Sequence, residues 1–146
     1  MVQVLCNDRP FASQTDLNSV LNFLNEKFRK HLIIFVISDF ISKPFLSSLK
    51  PLALRHDVIL VALLDPTEMS LPAVGLVDFQ DSESKDRLLI DTSSTKAKES
   101  MRKFQNRRMM GISSIAHQAD CDFVVVKDNP IRSLVALMKA RIGKLR

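Results

Sequence analysis

The sequence has no tryptophan, no tyrosine and only three glycines. It therefore lacks the aromatic stacking platforms and Gly-rich phosphate loops that many nucleotide-binding proteins use. Phenylalanine, present nine times, has to supply the large aromatic packing. The two cysteines, Cys6 and Cys121, lie far apart with no CxxC and no Cys/His cluster. That spacing indicates neither a disulfide framework nor a zinc site, and Cys121, just before an apolar strand, reads as a small core residue. Apolar runs are also short. The longest, around Leu32 to Ile37 and Val58 to Leu64, cannot cross a bilayer, and no basic, apolar, small-residue signal opens the sequence. The expectation is a cytoplasmic polypeptide without membrane association.

What is present describes an ordinary globular chain: 146 residues, 46% apolar and 25% charged. Length and composition fit a single domain, with residues 1–14 read as irregular. A net charge of +5 permits an acidic partner but says little about fold.

Hydrophobic periodicity sets out an alternating chain. Leu17, Val20, Leu21, Leu24 and Phe28 fall on one helical face between Asp16 and Phe28, with Thr15 or Asp16 available as cap. The run from His31 to Ile37 is β-branched and aromatic throughout, as expected for a strand buried on both faces of a parallel sheet. Ser42 is placed to cap a second helix running to about His56, with Phe45, Leu49, Leu52 and Ala53 inward. A second buried strand follows from Asp57 to Leu64. Val74 to Gln80 and Arg87 to Asp91 read as an inserted hairpin around a polar turn. A long helix then spans Ser94 to about Ala119, with Ala97, Met101, Phe104, Ile112, Ile115 and Ala119 on one seam and Gly111 marking a kink or close packing. Asp122 to Val126 is a third parallel strand. Asp128-Asn129-Pro130 starts a last helix whose inward face would be Ile131, Leu134, Val135, Met138 and Ile142. Strands alternating with helices give right-handed crossovers and a parallel sheet.

Several stretches carry a more specific signal. Arg55-His-Asp-Val-Ile-Leu-Val-Ala-Leu-Leu-Asp-Pro66 is followed by Leu71-Pro72, Gly75-Leu-Val-Asp-Phe79 and Asp81-Ser-Glu83. Phe35-Val-Ile-Ser-Asp-Phe40 and Asp91-Thr92-Ser93 flank that core, and Arg107-Arg108, Asp122 and the last helix come in order after it. Together they resemble the DUF58 family, from about Thr15 to the carboxy terminus. The resemblance implies the carboxy-terminal half of a von Willebrand A-like domain. The expected architecture is α/β and three-layered, a Rossmann-like partial fold with a short parallel sheet flanked by helices and a small inserted β-hairpin. Such proteins are commonly encoded beside AAA+ ATPases of the MoxR class, which the resemblance implies as partners.

Domains of this type hold a divalent metal between a DxSxS loop, a Thr loop and an Asp loop. Thr15, in Ser13-Gln-Thr-Asp-Leu, resembles the Thr loop with Gln14 in place of the usual glycine. Asp39, after Ser38, resembles the Asp loop, and no DxSxS occurs. Thr15, Ser38 and Asp39 would thus form a degenerate metal site. One carboxylate with hydroxyls leaves most of an octahedral Mg2+ shell to water, so affinity is expected to be poor. The simpler reading is that Thr15 caps its helix and Asp39 turns the strand-to-helix loop. Asp65 and Glu68 would border the same rim as a binding surface.

Two other classes are weaker. A metal-dependent, hydrolase-like enzyme would use Asp39 and Asp65, yet His31, His56 and His117 have no evident Ser or Cys partner, and there is no GxSxG elbow, P-loop, HExxH or GxGxxG. His56-Asp57 reads instead as a structural hydrogen-bonding pair. A nucleic-acid module would use Lys96, Lys98, Arg102, Lys103, Arg107 and Arg108 with Lys139, Arg141, Lys144 and Arg146, but these fit the solvated faces of helices. The expected function is a non-catalytic protein-interaction module with no catalytic residue and no required cofactor. In the implied sheet the strand 32–37 lacks its neighbour, and an exposed apolar strand edge is a template for pairing. A homodimer through that edge is the corresponding expectation.

Overall fold

The computed structural model describes residues 15–64, 73–80 and 87–144. The expectation for residues 1–14 lies outside them. The chain is α/β, and its elements follow the predicted order: α1 (Leu17–Lys27), β1 (Ile33–Ser38), α2 (Leu46–Ala53), β2 (Asp57–Leu63), β3 (Leu76–Gln80), β4 (Arg87–Asp91), α3 (Thr95–Gln118), β5 (Asp122–Val126) and α4 (Pro130–Lys144). A three-stranded parallel sheet has the order β1-β2-β5, and β3 with β4 forms a separate antiparallel hairpin.

The central strand β2 explains the layering. Val58, Leu60 and Ala62 face α1, α2 and α3, which close over them with Leu17, Leu21, Leu49, Leu52, Ile112 and Ala116. Ile59 and Val61 point the other way and meet Leu134, Leu137 and Met138 of α4. All five of these β2 residues are buried, as a strand covered on both faces requires. Truncating Ile59 to alanine would cost on the order of 3 kcal/mol.

Edge strand β1 differs from the expectation. Ile34 and Val36 pack under the helices, but Ile33, Phe35 and Ile37 are 62%, 44% and 61% exposed. Because α4 lies over β2 and β5, the strand predicted to be buried on both faces is covered on only one. Helical faces are corrected in the same sense. Val20 and Phe28 of the first seam are exposed, as are Phe104 of α3 and Ile131, Val135 and Ile142 of α4. Gln105 is buried beside the α3 seam, and Leu137 joins the contact made by α4. A Cβ added at Gly111 would meet nothing within 4 Å, so that glycine marks no close packing.

Helix α2 begins at Leu46, later than the Ser42 cap implied, because the Ser42 hydroxyl donates to the Lys43 carbonyl instead. Asp16 caps α1 by accepting from the Ser19 amide and hydroxyl. These bonds, the hydroxyl's above all, hold the Asp16 carboxyl below its ordinary pKa. Asn129 caps α4 ahead of Pro130, as predicted, accepting from the Arg132 amide at 3.1 Å.

One ion-pair cluster ties the amino-terminal ends of the sheet together. The Arg141 Nη2 donates to both Asp57 carboxylate oxygens, at 2.5 and 2.6 Å, and Nε lies 3.0 Å from Asp122. The guanidinium thus clamps the end of α4 to the starts of β2 and β5, with all three side chains about a quarter exposed. Arg141→Leu is expected to lower stability by about 2 kcal/mol through two unpaired carboxylates. Thermal unfolding checks this as a fall in Tm of roughly 5 °C, and Arg141→Lys should rescue little because a point charge cannot make the forked contact.

Candidate functional site

The carboxyl ends of β1 and β2 form the rim where α/β sheets place binding groups. Past β1 the chain makes a tight loop before α2. The Asp39 Oδ1 accepts from the Ile41 amide at 3.0 Å and lies 3.4 Å from the Ser38 hydroxyl, while the Ser38 Oγ accepts from the Phe40 amide at 3.0 Å. These bonds turn the chain so sharply that Phe40 sits at φ +57°, a region L-residues rarely adopt. Burial keeps it there: the Phe40 ring stacks on Phe45 with centroids 5.6 Å apart, and both are in the core.

The loop is also held from α1. The Asn18 side-chain amide donates to the Pro44 carbonyl at 3.0 Å, and its oxygen accepts from the Ser48 hydroxyl at 2.7 Å. Asn18 was not singled out from sequence, since a polar residue one place inside a helix start carries no signal until Pro44 is known to lie beside it. The outcome is a preformed loop presenting Asp39, Ile41 and Lys43 to solvent.

Of the residues proposed for a degenerate metal site, Ser38 and Asp39 are adjacent, and the Ser38 Oγ and Asp39 Oδ1 are hydrogen-bonded within their own loop. Thr15 is exposed, and the capping it was expected to provide falls to Asp16. Among the described residues no group of three His, Cys, Asp or Glu side chains could hold a metal ion. One carboxylate, with its Oδ1 turned onto the loop, leaves most of an octahedral cation shell to water. Asp65 and Glu68 lie outside the described residues.

The other residues of interest have structural partners. The buried His56 accepts the Leu32 amide on Nδ1 at 3.3 Å, which places its proton on Nε2, and the Leu32 carbonyl accepts from the Asp57 amide at 2.8 Å. His56-Asp57 therefore pins the start of β1 to that of β2, in line with its structural reading. Thr92, fully buried, accepts from the Val74 amide at 3.1 Å and donates to the Gly75 carbonyl at 2.7 Å. The Asp91-Thr92-Ser93 turn thereby closes the base of the hairpin just before α3 begins. Gly75, at φ +86°, supplies the left-handed backbone there. Beside the hairpin, Ile90, Ala97, Ser100, Met101 and Phe104 line a shallow, almost wholly apolar groove. No helix among the described residues is long and apolar enough to cross a membrane.

These turns are the stretches on which the DUF58 resemblance rests, and the family model "Protein of unknown function DUF58" matches residues 1–110. The chain belongs to the DUF58 family. The match begins before α1 and ends within α3, covering the rim loop, β2 and the hairpin. Uncharacterized proteins of Mycobacterium bovis and Mycobacterium tuberculosis are 34% identical over 76 residues, which is 51% of this chain and 24% of theirs. An uncharacterized protein of Mycobacterium avium is 32% identical over 76 residues, covering 45% of its length. The chain thus spans less than half the length of these curated relatives. No solved structure matches it.

Two measurements follow from this geometry. Calorimetric titration with Mg2+ and Mn2+ is expected to give the same negligible heat for wild type and Asp39→Ala; a saturable heat lost in the variant would restore the metal site. Cys121, half-buried, is the second. Burial first, then the charges of Asp120, Asp122 and Asp57, push its thiol up to about 11. A raised acid pKa means the folded chain holds the proton more tightly. This contribution to stability is complete below the unfolded value near 9 and is lost between there and about 11. In a Cys6→Ser background, iodoacetamide should alkylate Cys121 at pH 8 about a hundredfold more slowly than in urea-unfolded chain, with the rate climbing steeply above pH 10.

Proposed function

We propose that this DUF58 chain is a non-catalytic protein-interaction module acting in the cytoplasm, and that its rim loop docks a MoxR-class AAA+ ATPase. The observation that carries the reading is the internally bonded loop from Ser38 to Phe45. Ser38, Asp39 and Ser42 each make a hydrogen bond to its backbone, and it presents an exposed isoleucine, 56% accessible, between Asp39 and Lys43. Polar groups bound to their own loop supply shape and little reactivity. A rigid loop with one exposed apolar anchor binds at low entropic cost. The choice of partner rests on the resemblance, through the ATPases commonly encoded beside such proteins.

Ile41 is the side chain to change, because it is exposed and outside the core. Biolayer interferometry with a MoxR-class ATPase encoded beside this chain is expected to show binding by wild type. Ile41→Glu should weaken it at least about tenfold through loss of the anchor and burial of a charge, with an unaltered circular dichroism spectrum. Absence of binding by wild type, or equal binding by the variant, overturns the assignment.

A further inference from the structure

Strand β1 combines three features. No described residue pairs with its outer edge. Ile33 stands in register with Asp57, whose amide donates to Leu32, so in a parallel ladder the backbone N–H and C=O of Ile33, Phe35 and Ile37 point away from β2. The side chains of the same three residues lie on the face where α4 covers Ile59 and Val61 but not β1. No lysine, proline or inward charge interrupts the strand from Ile33 to Ser38, although such residues normally guard an edge. The ends are unlike: Arg29, Lys30 and His31 precede it and Asp39 follows.

We propose that a second copy of this chain occupies that edge, the two β1 strands running antiparallel about a twofold axis at Phe35. An axis perpendicular to the sheet keeps the faces aligned, so odd residues meet odd residues and both protomers use the same patch. Three such registers are plausible. Centring on Phe35 sets Phe35 opposite Phe35, Ile33 opposite Ile37 and His31 beside Asp39. Centring on Ile34 puts His31 opposite Ile37, and centring on Val36 buries Asp39 against Ile33. Among the odd-numbered residues from His31 to Asp39, only the first pairs apolar with apolar and basic with acidic, the two kinds of cross-strand contact that stabilise a sheet. It also turns all three outward-facing residues of each copy into hydrogen-bonded pairs. The product is a continuous six-stranded sheet whose two central strands lie side by side between the two α4 helices. This pairing stands apart from the ATPase reading, which uses the rim loop.

The test is the mass of the full chain in solution. Size-exclusion chromatography with light scattering at high micromolar concentration is expected to give twice the 16.5 kDa of one chain. Phe35→Lys, which sets two ammonium groups opposite each other, should raise the dimer dissociation constant at least about tenfold and leave ATPase binding through Ile41 unchanged. A monomeric wild type, or a dimer indifferent to Phe35→Lys, overturns the proposal. Cysteine cross-linking in a Cys6→Ser, Cys121→Ser background reads the register without a charged variant. Residue 33 of one copy lies four residues, about 14 Å, from residue 33 of the other. A bismaleimide shorter than that distance should therefore join Phe35→Cys chains, and chains carrying Ile33→Cys with Ile37→Cys, but neither single isoleucine variant. Efficient coupling of Ile33→Cys alone would exclude this register.

Discussion

Five consecutive residues of β2, Val58 to Ala62, have to be shielded from water on both faces of one strand, and most of the architecture follows from that requirement. On one side it takes α1, α2 and α3 to cover Val58, Leu60 and Ala62. On the other, α4 alone covers Ile59 and Val61 and reaches β5 but not β1. At the amino-terminal end of the sheet Arg141 fixes α4 by binding Asp57 and Asp122 together. Ile33, Phe35 and Ile37 lie beyond the strip of sheet that α4 covers from this position.

The stretches that carry the family resemblance turn out to be joints. His56-Asp57 fixes the start of β1 against β2, Ser38-Asp39-Phe40 turns the chain out of β1, and Asp91-Thr92-Ser93 closes the base of the hairpin. Each uses a short polar side chain to satisfy backbone groups where a strand ends, which is where buried amides have no ladder partner. Such residues look like chemistry in a sequence, because Ser, Thr, Asp and His are also the residues of active sites. In the fold they also make structural hydrogen bonds: the Asp39 Oδ1 accepts within its own loop, and the Asp57 carboxylate is held by Arg141.

Among the described residues element type and order were legible in the sequence, since the strands of the parallel sheet were compact apolar runs and the helices kept their period. Which faces were covered was less legible. The apolar row of β1 reads the same whether one or two layers cover it, and only the position of α4 decides. For Val20, Phe28 and Ile131 the helical period held, yet the side chains are exposed. Pairings between distant residues left no local trace. Arg141 read as one of several basic residues on a helix, yet its partners lie 84 and 19 positions away. Asn18, likewise, gains its role only when α2 folds back against α1.

Two surfaces remain, and they differ in kind. The rim loop is stiff and displays a mixed group of charges around Ile41. The β1 edge is uncharged along its length and offers backbone donors and acceptors with an apolar row. Because Arg141 is spent within the fold, much of the free positive charge lies on the exposed side of α3, at Lys96, Arg102, Lys103 and Arg107, away from both surfaces in sequence. Association at β1 therefore draws on hydrogen bonding and apolar burial, which salt screens little. Contacts at the rim include Asp39 and Lys43 and feel ionic strength directly. The two proposed contacts are therefore separable in kind, one resting on hydrogen bonds and apolar burial and the other carrying charge.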